Sequence, residues 1–245
     1  MFSGEKIPSA VSVLKSSIAG VLMLYCGTTS LIWCEQYMPS ALAAVIIASV
    51  PFWFVLLDKN HWKENFSDKF ILTGLLVGFI GIILLFSGKA SFNFHHRAQI
   101  IAFIVLMIGS ALWAAGSLYS KYSGAKGSTT VLASIQMMAA GLAGWITSVG
   151  SGESNYFVLS NVSTNSIYAI LYLITFGSLI GYIAYIWLLK VRPPAIVGTY
   201  AYVNPVVAMF LGWLLDHEII SGIQIAALVI ILSGVLLVNL SKYKK

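Results

Sequence analysis

Two stretches of the chain, WCEQYMPSALAAVIIASVP (Trp33–Pro51) and WLLKVRPPAIVGTYAYVNP (Trp187–Pro205), share one framework that decides the fold. Each begins with a tryptophan, has a proline six residues later and ends on a second proline, at a constant offset of 154 residues. Gly81 and Gly234 extend the match at nearly the same offset. Similarity between unrelated apolar segments does not produce this spacing, so the chain contains an internal duplication. Duplicated halves in a hydrophobic chain are typical of transporters.

The composition places most of the chain in lipid. It is 59% hydrophobic and 9% charged, with a mean hydropathy of +0.90, and a soluble domain of this size would expose too much apolar surface. A bilayer core of about 30 Å takes about 20 apolar residues per helix. The sequence therefore predicts an all-α integral membrane protein, a polytopic bundle of eight helices. The predicted spans are Ser17–Trp33, Ala41–Leu57, Phe70–Ser87, Gln99–Tyr119, Thr130–Val149, Ile167–Leu189, Ala195–Leu215 and Gly222–Leu240.

The basic residues separate to the two ends of this bundle. Twelve of the fourteen Lys and Arg residues fall on one side, and only Lys89 and Arg97 fall on the other. This bias predicts cytoplasmic N and C termini for this chain in the inner or plasma membrane. A nucleic-acid surface would require the basic residues to cluster on one folded face, so the net charge of +6 does not indicate a nucleic-acid partner.

The repeat also predicts how the chain is divided. The first copy covers 1–90 with three helices, and the second covers 98–245 with five. Subtracting the 154-residue offset from residue 99 gives a position about 55 residues before Met1, so two helices of a five-plus-five architecture are expected to be missing. Because five is odd, the two copies are expected to insert with opposite orientations, as inverted-topology repeats do.

Two strings of the sequence match the pattern of a known protein family. The strings WCEQYMPSALAAVIIASVPFW (Trp33–Trp53) and GTYAYVNPVVAMFLGWLLDHE (Gly198–Glu218) resemble the EamA-type permeases of the drug/metabolite transporter superfamily. The resemblance extends over essentially the whole chain, apart from the two N-terminal helices. It implies a ten-helix carrier with inverted repeats that moves small metabolites such as amino acids, nucleobases or drugs, usually outward. It carries over no residue-by-residue site, so candidate site residues must come from the chain itself.

Polar stripes on three predicted helices are the first candidates for a transport path. An unpaired polar group in lipid costs several kcal/mol, so such a stripe faces either another helix or a water-filled cavity. For one stripe both interpretations stay open, whereas three together favour a shared cavity. The stripes are Thr29, Trp33 and Gln36 in the first span, Ser110, Trp113, Ser117 and Ser120 in the fourth, and Ser178, Tyr182 and Tyr185 in the sixth.

For the seventh span the repeat supplies an internal control. Tyr200, Tyr202 and Asn204 stand where the first copy has apolar residues, although the following proline, Pro205, is shared. Residues that are polar in one copy alone are better candidates for substrate recognition than shared ones. Tyr200 and Asn204 lie one turn apart on one face and are the stronger pair. Tyr202 lies on a different face of the helix, and helix packing and substrate recognition are equally good interpretations of it. The proline frees a carbonyl one turn earlier, which can also contact a ligand.

Catalytic, metal-binding and cofactor-binding constellations are not predicted. The chain has no His-Glu-x-x-His motif and no Gly-x-Ser-x-Gly elbow, which disfavours an integral-membrane enzyme. Cys26, Cys34 and the His95-His96 pair lack further metal ligands at suitable spacing. Charged residues are absent from the middle of every predicted span, so no central proton relay is indicated, and Glu35 is interpreted as a solvated helix end.

The predicted function is a small-metabolite permease that works by alternating access, with the lipid bilayer and a small-molecule substrate as its partners. Aromatic and neutral polar candidates suit a zwitterionic or planar substrate better than a strong ion. A homodimer is a possible assembly. The remaining alternative is a membrane protein that does not transport, either a truncated carrier or a subunit whose missing helices come from another chain.

Overall fold

In the computed structural model the described residues fold mainly into α-helices. The structure describes residues 8–38, 40–86, 97–156, 158, 162–204, 206–207 and 222–241. Most of the predicted seventh span beyond Pro205, and the His95-His96 pair, lie outside these residues. The described helices are α1 (Ala10–Cys34), α2 (Ser40–Ile47), α3 (Val50–Leu57), α4 (Trp62–Ser67), α5 (Lys69–Phe86), α6 (Arg97–Tyr122), α7 (Thr129–Gly150), α8 (Thr164–Val191), α9 (Pro194–Gly198) and α10 (Gly222–Asn239).

Five helices in the described part of the chain, α1, α6, α7, α8 and α10, are long and apolar enough to cross a membrane. Ala43–Leu57 meets the same requirement only together with Lys59–Ser67, from which it is bent by 64°. Helix α5 is apolar but shorter. The fold is therefore that of an all-α, polytopic membrane protein, as the composition predicts.

The surface of α8 supports the same conclusion. Over residues 163–181 nearly every side chain of this helix is exposed, and most of the large ones are apolar. Examples are Ile167, Leu171, Phe176 and Ile180, each about half exposed. Such a surface is stable against hydrocarbon, where the helix satisfies its own backbone hydrogen bonds.

The predicted second span is broken before Pro51. Helix α2 ends at Ile47 and α3 begins at Val50, with the Ser49 N–H donating to the Ile46 carbonyl at 3.0 Å in the turn between them. Pro51 has no N–H with which to continue the helical ladder. The helix is thus irregular just before Pro51, whereas Pro205, its counterpart in the second predicted copy, lies outside the described residues.

Glycines allow α5 and α10 to pack with their backbones in contact. A Cβ atom on Gly234 would lie 2.4 Å from the Gly78 nitrogen, and one on Gly74 would lie 2.8 Å from the Gly234 carbonyl oxygen. Gly81 fits against Ile231 in the same way. Gly74 and Gly78, spaced as a small-xxx-small pair on α5, therefore form a helix interface. The two helices in this interface carry the repeat-related glycines Gly81 and Gly234.

Helix α1 is held between α6 and α7 by similar close approaches. Gly109 faces the Ser30 hydroxyl, and Gly116 faces Met23, whereas Gly20 lies against the backbone of Gln136. These contacts place α1, from the first predicted copy, directly against α6 and α7, the first two helices of the second predicted copy. The polar stripe of α6 lies in the same region.

Both α1 and α8 contain a π-helical segment, Val21–Thr28 in α1 and Leu173–Tyr182 in α8. Adding the 154-residue offset to 21–28 gives 175–182, so the two segments are repeat equivalents. They meet where the Tyr182 hydroxyl lies 3.8 Å from the Met23 sulfur. π-Helical turns occur frequently at functional sites, which directs attention to the side chains around Tyr182.

Candidate functional site

Four aromatic side chains of the second predicted copy converge where it packs against helices of the first predicted copy. Tyr185 is the central ring, with its centroid 5.3 Å from that of Tyr200, 5.8 Å from that of Trp113 and 6.3 Å from that of Tyr182. The Tyr185–Tyr200 pair is T-shaped, one of the arrangements that aromatic quadrupoles favour. We call these four residues the aromatic cluster. All four are candidates from the sequence, and the structure brings them together.

A chain of hydrogen bonds fixes the Tyr185 hydroxyl. Trp113 Nε1 donates to it at 3.2 Å, and it lies 2.7 Å from Ser117 Oγ. Ser117 in turn donates to the Trp113 carbonyl oxygen at 2.7 Å, so Tyr185 donates to Ser117. Since Ser117 is fully buried, its hydroxyl requires these partners. The fifth sequence candidate, Ser117, therefore belongs to the same site.

Gln136 of α7 is a member of this site that sequence reasoning missed. Its side-chain oxygen accepts a hydrogen bond from the Tyr182 hydroxyl at 2.7 Å, and its Nε2 donates to Ser120 at 2.9 Å. The side chain is 1% exposed, so both bonds lie in the interior. Gln136 is the one amide side chain in the predicted span Thr130–Val149, and that was the available signal. Gln136 of α7 therefore connects Tyr182 of the aromatic cluster to Ser120 of α6.

Apolar side chains from both copies pack against the aromatic cluster. Met23 of α1 and Val50 and Phe54 of α3 belong to the first copy and are almost fully buried there. Ile186 and Leu189 of α8 complete the core from the second copy. The aromatic cluster thus lies where helices of the two predicted copies meet, and relative motion of the copies would change its shape.

Trp33 and Gln36 do not join the aromatic cluster. Trp33 packs in a separate group with Cys34 and Met38, and its ring centroid lies 4.8 Å from that of Tyr37. Gln36 is exposed beyond the end of α1. Their side chains lie farther along α1 than Gly27, the residue that faces Trp113. A role for this pair in substrate binding stays a prediction.

Asn204 is exposed and lies one turn from Tyr200 in a helical segment, residues 200–204. Tyr200 itself is half-buried in the aromatic cluster. The face that the two residues share therefore leads from the cluster to an exposed position. Whether Asn204 contacts a substrate stays a prediction.

Tyr202 has a packing role. Its side chain is fully buried, its hydroxyl donates to the Leu75 carbonyl oxygen at 3.0 Å, and its ring lies against Gly78. Ala48, its counterpart in the first copy, belongs to the same buried group. The structure therefore separates Tyr202 from Tyr200, which faces the aromatic cluster.

Replacing Tyr202 with phenylalanine tests this separation. We expect the Tyr202→Phe variant to lose about 1 kcal/mol of unfolding free energy, because one buried hydrogen bond is removed, and to leave the aromatic cluster unchanged. Thermal unfolding in detergent measures the loss. Tyr172→Phe is the matched control, because Tyr172 is 60% exposed on α8. Equal melting temperatures for the two variants would contradict a stabilising bond to Leu75.

An apolar groove of about 500 Å³ lies on another part of the surface, between α3 and α6. Trp53, Phe103, Met107 and Ala111 line it. Phe103 is 39% exposed, so this side of α6 faces outward. The groove offers apolar contact suited to lipid, whereas the aromatic cluster combines ring faces with fixed hydrogen-bonding groups.

Comparison with protein families matches residues 100–240 to the EamA-like transporter family. The chain belongs to the EamA-like transporter family. It is 35% identical over 245 residues to YedA of Escherichia coli strain K12, described as an uncharacterized inner membrane transporter, covering 99% of this chain and 76% of YedA. The family resemblance inferred from the two strings is thereby confirmed.

A second relative is YvbV of Bacillus subtilis strain 168, described as an uncharacterized transporter. It is 24% identical over 217 residues, which cover 83% of this chain and 64% of YvbV. One solved crystal structure of a protein superposes with a TM-score of 0.70 and 17% sequence identity, covering 94% of this chain and 86% of the other. That likeness supports the fold alone.

Proposed function

We propose that this protein is a secondary transporter of small metabolites that works by alternating access between two inverted repeats. The observation that carries the proposal is the position of the aromatic cluster between helices of the two predicted copies. Its support comes from membership in the EamA-like transporter family and from relatives described as transporters. A binding site at such a junction opens to one side or the other as the copies rock against each other.

The chemistry of the aromatic cluster favours a planar or zwitterionic substrate. Three tyrosines and one tryptophan offer ring faces, which stack on planar groups and attract cations. The partners of these rings, Ser117 and Gln136, are neutral hydrogen-bonding groups. A strong ion would leave lipid-buried charge without an opposite charge in this cluster, which is costly. Amino acids, nucleobases and drugs with planar rings are therefore the proposed substrate class.

The proposed location is the inner membrane, with both ends of this chain in the cytoplasm. Support comes from the description of YedA as an inner membrane transporter and from the twelve basic residues on one side. The division into copies at 1–90 and 98–245 is kept as part of the proposal, and the matched family range, residues 100–240, lies within the second copy. A homodimer stays a prediction.

Substitutions in the seventh span test the proposal. We expect Tyr200→Ala to lower substrate flux about tenfold, because a ring of the aromatic cluster is lost. Asn204→Ala should lower flux about fivefold through the loss of one hydrogen bond. The measurement is uptake by proteoliposomes screened with amino acids, nucleobases and cationic drugs. Val203→Ala, between the two, is the control.

Two outcomes of this screen separate the alternatives. If the parent protein shows flux and neither Tyr200→Ala nor Asn204→Ala reduces it, the protein is a transporter but the seventh span is not part of its site. The absence of saturable flux for every solute class would favour the membrane protein that does not transport.

A further inference from the structure

A buried carboxylate lies one helical turn beyond Phe54, a residue of the core around the aromatic cluster. Asp58 follows the end of α3 and is 1% exposed. The hydroxyl of Tyr122, at the end of α6, lies 3.1 Å from both carboxylate oxygens, and His61 Nδ1 lies 3.1 Å from Oδ2. A buried carboxylate is stable only when such partners hold it. These residues therefore join the first predicted copy to the second.

The neighbouring residue of α6 makes a second connection. Lys121 donates to the Leu189 carbonyl oxygen and, at 2.9 Å, to the Arg192 carbonyl oxygen. These carbonyls lie at the C-terminal end of α8, where helices leave acceptors without a partner and favour a positive charge. The end of α6 thus ties together the ends of α3 and α8. We call Asp58, Lys121 and Tyr122 the latch.

On three helices the latch, or a carbonyl that it binds, follows the candidate site or its surrounding core by one turn. On α6, Ser117 and Leu118 precede Lys121 and Tyr122 by four residues each. The same spacing separates Phe54 of α3 from Asp58, which follows that helix, and Tyr185 from Leu189 on α8. Four residues of α-helix advance about 6 Å. The latch therefore covers one end of the candidate site, and this is the lysine-rich end predicted to face the cytoplasm.

We propose that the latch is the gate that closes the lysine-rich end of the candidate site. The proposal rests on the proposed transport function and assigns residues to one of its steps. For the site to open toward this end, α3 and α8 must move away from the end of α6. The Asp58–Tyr122 bond and the Lys121–carbonyl bonds must then break, and water replaces them.

Cysteine labelling tests the gate without relying on transport. The parent for the test carries Cys26→Ser and Cys34→Ser, which remove both native thiols, and Ser117→Cys as a reporter inside the site. A membrane-impermeant maleimide is applied from the lysine-rich side. Lys63→Cys in the same background, at an exposed position of α4 on that side, gives the rate for an open position.

We expect Tyr122→Phe to raise the labelling rate of the reporter about tenfold, because a hydrogen bond to a buried charge favours the closed state by about that factor. Lys121→Met should raise it similarly. Tyr119→Phe is the matched control for the first variant, since it removes a hydroxyl one turn earlier on α6. Lys190→Met is the control for the second, because Lys190 bonds to Thr129 at 3.0 Å within the second copy.

Two results would overturn the proposal. The first is labelling of Tyr122→Phe and Lys121→Met at the rates of their controls, whether or not those rates exceed the rate of the parent. The second is a reporter that labels in the parent as fast as Lys63→Cys, which would show that this end is not closed. Labelling does not require flux. A protein that fails to transport but shows the expected labelling rates would therefore contradict the proposed function and still support the latch as a gate.

Discussion

Replacing Gly234 with leucine is expected to separate α5 from α10 and to cost about 3 kcal/mol of unfolding free energy. A Cβ atom there would lie 2.4 Å from the Gly78 nitrogen and 2.7 Å from the Gly74 carbonyl oxygen. Both are backbone atoms, so no side chain can turn away to make room. Lipid supplies no hydrophobic force between helices, and close packing must hold them together. Thermal unfolding in detergent and recovery of monodisperse protein measure the effect.

The matched control for this variant is Gly141→Leu. A Cβ atom on Gly141, in α7, would meet no atom within 4 Å. Both substitutions raise helix propensity by the same amount, so their difference reports the packing contact alone. Equal unfolding temperatures for Gly234→Leu and Gly141→Leu would show that the α5–α10 contact does not stabilise the fold.

The helices and one of their interfaces could be predicted from the sequence because both depend on local patterns. Apolar runs of span length predict membrane helices, and glycines at positions 74 and 78 predict a close helix contact. The partner in that contact is α10, whose Gly234 the repeat also singles out. Composition predicts which segments enter lipid, and the spacing of small residues predicts which face of a helix can approach another helix.

The candidate site could be predicted only in part, because periodicity gives the face of a helix and not its neighbour. Trp113 and Ser117 come from one stripe, Tyr182 and Tyr185 come from another, and the repeat comparison adds Tyr200. The fold brings all five together. The same reasoning grouped Trp33 and Gln36 with them, yet the packing of α1 places Trp33 beside Tyr37 in another cluster. A polar stripe follows one face of a helix along the whole helix, whereas the site occupies only one depth in the membrane.

Other residues depend on contacts between distant helices. Tyr202 is polar in one copy alone, which is the pattern used to find recognition residues, but its hydroxyl bonds to Leu75 in the core. Gln136 is a single polar residue with no stripe of its own, and it becomes visible through its bonds to Tyr182 and Ser120. Asp58 lies at a helix end, where a carboxylate is ordinarily solvated, and only the fold buries it.

Removing the Tyr185 side chain is expected to lower substrate flux about hundredfold. Tyr185→Ala deletes the ring that contacts the other three members of the aromatic cluster, and it leaves Ser117 Oγ and Trp113 Nε1 without their shared partner. Together these losses amount to about 3 kcal/mol, which corresponds to about a hundredfold in rate or affinity. Tyr185→Phe keeps the ring and loses only the hydroxyl, so its flux should fall about tenfold. Initial rates normalised to folded protein give this graded series.

Solute counterflow in proteoliposomes tests most directly the central claim that a transport site lies at the aromatic cluster. The proteins compared are the parent, Tyr185→Phe, Tyr185→Ala and Tyr172→Ala, the last because Tyr172 is a tyrosine of the same helix exposed outside the cluster. The expected result is saturable counterflow of a planar or zwitterionic solute by the parent and by Tyr172→Ala, with the graded loss in the two Tyr185 variants. Counterflow by Tyr185→Ala at the rate of Tyr172→Ala would contradict the claim.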